Sequence, residues 1–150
     1  VYSSVFGPEL QERLQDRIFH RPIGELLVGE ALIIETAHPK IPFLIAAPTR
    51  RVSKRVDDPV DIMLACRAAV LIALKEDLAS IAFPGMGGGS AQVPPDLAAR
   101  NMLAGIRKGL AGRAPLPSSL QAVAREEEQL REHGADPTTA RKVGRSPPKQ

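Results

Sequence analysis

Ile81-Ala82-Phe83-Pro84-Gly85-Met86-Gly87-Gly88-Gly89-Ser90, running on through Ala91-Gln92-Val93 into Pro94-Pro95-Asp96, decides how the rest of the chain is read. The apolar run Ala79 to Phe83 reads as a short strand that stops at Pro84. Pro84 has no N–H to give to a ladder. Glycines fill positions 85 and 87 to 89, and Pro94, Pro95 and Asp96 then open a helical pattern. Strand, glycine loop and helix is an order that cradles phosphate. Backbone N–H groups face the anion, and the following helix adds the positive end of its dipole.

Upstream of this stretch, Asp57 or Asp58 caps a helix with Pro59 at its first position, reaching about Leu78. Its middle is apolar on nearly every side, so Met63 and Cys66 read as core residues. Before it stands the cationic run Arg50-Arg51-Val52-Ser53-Lys54-Arg55, either a solvated loop or an anion clamp at a strand end. Ile41 to Ala47 is apolar on both faces and reads as a central strand, with Pro42 opposing pairing at its start. Ala37-His38-Pro39-Lys40 is a turn, and Ala31 to Thr36 the strand before it, so the two form a hairpin. Leu26 to Val28 reads as a further strand piece, with Gly29 as a bulge. Val1 to Phe19 is a helix broken at Gly7-Pro8, with Leu10, Leu14 and Ile18 on its apolar stripe.

Downstream, Asp96 to Lys108 is a helix with Ala98, Met102 and Ile106 on one face and Gly109 as its stop. Ala114 to Ser119 is a linker, and Ser118 or Ser119 caps a helix ending near His133 with Gly134 behind it. Ala135 to Gln150 is polar and basic with almost no apolar residue, a composition that predicts disorder. The order helix, strand, strand, helix, strand, helix is that of a layered α/β domain.

Composition narrows the function classes. The chain has 150 residues, 43% apolar, which suits one globular domain. A net charge of +3 is too mild to point to nucleic acid. The longest apolar run, Ile62 to Leu74, is interrupted by Arg67 and is too short to span a bilayer. Cys66 is the one cysteine, which suits a reducing, cytoplasmic setting. Together with three scattered histidines it offers no recognisable metal spacing. His20, His38 and His133 fall in loops or the tail, so no Ser/His/Asp or Cys/His arrangement is built and no catalytic residue is assigned. The loop lacks the Gly-Lys-Ser/Thr ending of a Walker site and the Gly-x-Gly-x-x-Gly spacing of a dinucleotide site.

Three segments together resemble the macro domain, the ADP-ribose-binding module. They are Gly29-Glu30-Ala31 running to Thr36, Ile41 to Pro48, and Ser80 to Gly89 followed by Val93-Pro94 and the Ala98-Ala99 helix. The resemblance covers Val1 to about Gly112. It implies a three-layer α/β/α fold with a mixed sheet over 1–112; the linker and C-terminal helix over 113–134 and the disordered tail over 135–150 follow from composition and capping residues. It implies ADP-ribose or an ADP-ribosylated molecule as partner, with no cofactor. Pro84, Gly85, Met86, Gly87, Gly88, Gly89, Ser90, Ala91 and Gln92 would wrap its diphosphate, and Thr49 would lie at the neighbouring strand end.

Two positions depart from the family pattern. Gly88 stands where Ser or Thr is usual, and Ala91-Gln92 stand where the family has an aromatic-glycine pair that helps close over the distal ribose. The family's first phosphate loop and its Asn-Ala-Asn strand end have no counterpart before the first helix, so the resemblance implies a domain incomplete at its N-terminus. Binding alone, hydrolysis of an ADP-ribosyl bond or processing of ADP-ribose-1''-phosphate by a fuller chain, and a degenerate domain without ligand all remain open at this level.

Overall fold

The computed structural model describes residues 2–51, 58–87, 92–112 and 119–134. The chain is α/β. Helices α1 (Tyr2–Phe6) and α2 (Glu9–Phe19) precede a hairpin of β1 (Leu32–His38) and β2 (Ile41–Ala46). Helices α3 (Val60–Lys75), α4 (Pro95–Leu110) and α5 (Leu120–Gly134) follow. The break between α1 and α2 falls at Gly7, whose φ of +82° is left-handed. Leu10 is buried in α2, with Leu14 and Ile18 half-buried below it.

The hairpin is antiparallel, with Leu32 opposite Ala46, Ile34 opposite Leu44 and Glu35 opposite Phe43. Its register then slips between Glu35 and His38. The slip lies across from Pro42, which has no N–H to give to the ladder. Ala37 absorbs it at φ +60°. Thr36, 3% exposed, ties the irregular end together: its hydroxyl donates to the Ile41 carbonyl and accepts from the His38 amide at 3.0 Å. His38 stays inside β1, and its Nδ1 accepts from the amides of Lys40 and Ile41 in the turn, both at 3.2 Å.

Two strand expectations fail for physical reasons. Leu26 to Val28 forms no strand, because local side chains take its backbone and shape its turn. Glu30 Oε2 accepts from Leu27 N at 2.9 Å, Glu30 Oε1 holds Arg21 Nη2 at 2.5 Å, and Gly29 turns at φ +88°. Ala79 to Phe83 joins no ladder either. The chain runs from Ser80 to Met86 without turn or bend, but with no paired strand beside it among the described residues. Among the described residues the sheet is two-stranded and antiparallel, the part of the layered α/β fold that they display. β2 is also an edge strand rather than a central one, with Ile41, Pro42 and Phe43 exposed.

Helices α3 and α4 hold the main core. Asp58 Oδ1 accepts from Val60 N at 3.0 Å, capping α3. At the other end Leu78 N bonds to Ala73 O at 2.9 Å and Asp77 N to Leu74 O at 3.2 Å, with Asp77 at φ +51°. This is a Schellman stop in which aspartate takes glycine's place. Ile62 and Cys66 cluster with Val93, Leu97 and Ala98, and Phe83, Met86, Met102 and Ile106 pack around them.

The two helices approach through Gly105 and Gly109. A Cβ on Gly105 would come within 3.0 Å of the Met63 carbonyl and of Cys66 Cβ; one on Gly109 would do the same to Val70. Gly109 therefore serves packing and does not stop α4; Gly112 follows the helix at φ +81°. Moving from Gly105 to Gly109 along α4 carries the contact forward from Met63 and Cys66 to Val70 along α3, so the helices run parallel. Their N-termini lie at the same end. α5 packs against both, and Ser119 Oγ accepts from Ala122 N at 3.2 Å as its cap.

Candidate functional site

The glycine loop sits at that shared end. Val93 N donates to Gly87 O at 3.0 Å, which closes the loop at its base. Gly87 has φ +81°, and a Cβ there would fall within 3.0 Å of Ile62 Cδ1. Gly87 is thus seated on the first turn of α3. From the other limb, Val93 is buried in the core and Pro94 leads into α4. The loop bridges two helix N-termini, each carrying a partial positive charge that favours an anion by about 0.3–1 kcal/mol.

The two described glycines have different work. Gly87 is required by the fold, through its φ and its seat. Gly85 lies exposed with ordinary φ, and nothing stands within 4 Å of where its Cβ would be. Its bare backbone is open to an approaching group. Between them Met86 turns inward, its Sδ 3.3 Å from Cys66 Sγ. Burial raises the Cys66 thiol to about 11, so it keeps its proton and donates. Pro84 is exposed at the head of the loop.

Gln92 is exposed at φ +53°, a conformation that costs a non-glycine residue about 1–2 kcal/mol. It is the position at which the resembling family carries glycine. The sequence shows why glycine belongs there only once the backbone is seen. Gly88, Gly89, Ser90 and Ala91 lie outside the described residues. Thr49 is partly buried three residues after β2, and no hydrogen bond joins it to the loop among the described residues.

Local charge is largely committed. Arg51 makes a two-pronged contact with Glu25, Nε to Oε2 at 2.8 Å and Nη2 to Oε1 at 2.6 Å. That hydrogen bond lowers the Glu25 carboxyl and raises the Arg51 guanidinium from their ordinary values. One arm of the cationic run is therefore paired in a loop contact rather than held open as a clamp; Val52 to Arg55 lie outside the described residues. In the first turn of α4, Asp96 Oδ2 accepts from Arg100 Nη2 at 2.6 Å, which holds its carboxyl below the usual range. Asp96 sits where the helix end favours negative charge. His20 Nδ1 lies 2.8 Å from Asp16 O, a helix-end contact.

No helix among the described residues is long and apolar enough to cross a membrane. The chain is 37% identical over 81 residues to an uncharacterised protein of Aquifex aeolicus (strain VF5). The match covers 54% of this chain and 49% of that protein, so the chain spans about half the length of the curated relative it matches. No solved structure matches significantly. A sequence model of the macro domain matches residues 3–102, a span that includes the hairpin, α3, the glycine loop and the first half of α4. The chain belongs to the macro domain family, whose members generally bind ADP-ribose.

Proposed function

We propose that this chain binds ADP-ribose, free or attached to another molecule, and holds its diphosphate against the main chain of Pro84 to Gln92. The observation that carries the reading is the loop's seat. It is closed by Val93 N to Gly87 O and rests on Ile62, where the N-termini of α3 and α4 lie at one end. A diphosphate needs N–H donors and positive potential without a bulky side chain in the way, and the open backbone at Gly85 beside two helix N-termini supports that reading. Gly85 offers open backbone, and Thr49 stands at the neighbouring strand end as the second wall. Residues 1–112 form the binding unit, with the linker and α5 over 113–134 and the tail over 135–150 outside it. A cytoplasmic setting keeps Cys66 as the free thiol it is.

Calorimetric titration with ADP-ribose, and with ADP and AMP as partial ligands, tests the reading. Saturable heat with ADP-ribose, weaker with ADP and weakest with AMP, is the expected order. No heat with any of the three removes the proposal. Incubation with an ADP-ribosylated protein separates a binder, which leaves the modification in place, from a hydrolase.

A further inference from the structure

Three non-glycine residues among those described stand at positive φ. Ala37 takes up the register slip of the hairpin, and Asp77 ends α3 in its Schellman stop. Gln92, at φ +53°, has no local duty of that kind, and glycine would close the same turn with less strain. A side chain that persists where glycine would relieve the backbone points to a use for the side chain itself.

Its surroundings hold Gln92 in place. The next residue, Val93, is buried, packs in the cluster of Ile62, Cys66 and Leu97, and closes the loop through its amide on Gly87 O at 3.0 Å. Gln92 itself is exposed, and its carboxamide has no hydrogen-bond partner among the described residues. It is also the one polar side chain among the described residues of the loop, since Pro84, Gly85, Met86 and Gly87 offer none. Arg51 and Arg100 are already held by the carboxylates of Glu25 and Asp96.

We propose that Gln92 is a ligand-binding side chain whose carboxamide N–H donates to the diphosphate at this loop. The inference rests on the ADP-ribose reading above and adds a side-chain donor to a site otherwise described through its main chain. Phosphate oxygens only accept, and a carboxamide brings two N–H donors with no charge of its own. Gly85 lies on the incoming limb of the loop and Gln92 on the returning limb, on either side of the Gly87–Val93 closure. Main-chain and side-chain donors thus meet the anion from the two limbs, and the positive φ of Gln92 is the strain that keeps the second donor there.

Calorimetry with ADP-ribose and with ADP, beside thermal melts, on the parent and on Gln92→Gly, Gln92→Ala and Gln92→Glu is the test. Gln92→Gly is expected to raise the melting temperature and to weaken both ligands about tenfold. A purely structural role would move stability and affinity the same way, so opposite signs mark a ligand contact. Gln92→Ala keeps the strain and removes the carboxamide; it is expected to melt with the parent and to bind as weakly as Gln92→Gly. Gln92→Glu, which sets a carboxylate against phosphate, is expected to bind more weakly still. A loss confined to ADP-ribose, with ADP unchanged, places the side chain on the distal ribose and overturns the assignment to the diphosphate. Folded Gln92→Gly and Gln92→Ala chains that bind like a parent that does bind overturn the inference and leave the main-chain reading standing. A parent that binds neither ligand removes both.

Discussion

Exchanging alanine for glycine at 85 and at 87 separates what the loop does for the fold from what it does for a ligand. At Gly87 the new Cβ meets Ile62 Cδ1 within 3.0 Å, at φ +81°. The left-handed backbone costs alanine about 1–2 kcal/mol. Ile62 is fully buried and must leave its rotamer, adding about 0.5–1.5 kcal/mol. Reduced freedom of the unfolded chain returns about 0.4–1 kcal/mol. The net loss is about 0.5–3 kcal/mol, or a fall of about 1–12 °C in melting temperature for a chain of this size. At Gly85 no strain opposes the same change, so melting is unchanged or rises by a few degrees. If the open backbone there meets a phosphate, losing one charge-assisted hydrogen bond weakens ADP-ribose by about tenfold to a hundredfold. Thermal melts and calorimetry on both variants read the two effects independently. A Gly87→Ala chain that melts with the parent refutes the seat on Ile62. A Gly85→Ala chain that binds with parental affinity refutes the placement of the ligand.

Other substitutions probe the surroundings. Gln92→Gly relieves the strain at φ +53° and is expected to stabilise by about 0.5–1 kcal/mol after glycine's own entropy is counted; a lower melting temperature contradicts this. Gly105→Ala gains about 1 kcal/mol of helix propensity but drives a Cβ into the Met63 carbonyl. Overpacking at about 1–3 kcal/mol dominates, so urea melts should show a net loss. Cys66 titrates at about 11 in the folded chain against 9.0 for the ordinary thiol, so its stabilising contribution is present below pH 9.0 and is lost as pH rises toward about 11. Cys66→Ala should lose less stability than the parent over that window, and equal losses in the two chains speak against a buried, protonated thiol.

Much of this was legible in the residues, and the failures share a cause. The Ala37 to Lys40 turn announced the hairpin, Pro59 and Pro95 marked helix starts, and Ser119 its cap, because each acts on its own neighbours. What eluded reading was set by distant partners. Ala79 to Phe83 has strand composition, yet a strand exists only if another lies beside it. Gly109 looked like a helix stop, but its role is decided by Val70 on another helix. Leu26 to Val28 was lost to Glu30, whose side chain competes for the backbone. In the candidate site the glycines were visible, whereas the division of labour between Gly85 and Gly87 depended on where Ile62 stands.

The parallel pairing of α3 and α4 also determines which part of the molecule governs the loop's opening. The hairpin's contacts are local, closing over a few residues, while α3 and α4 meet across the longer intervening stretch that contains the loop. If the two open as separate cooperative units, the loop's closing bond, Val93 N to Gly87 O, goes with the helical one. The Val93 amide should therefore exchange in step with the middle of α3, not with β1 and β2. Fraying of the sheet would leave the loop intact, whereas separation of the two helices would release it.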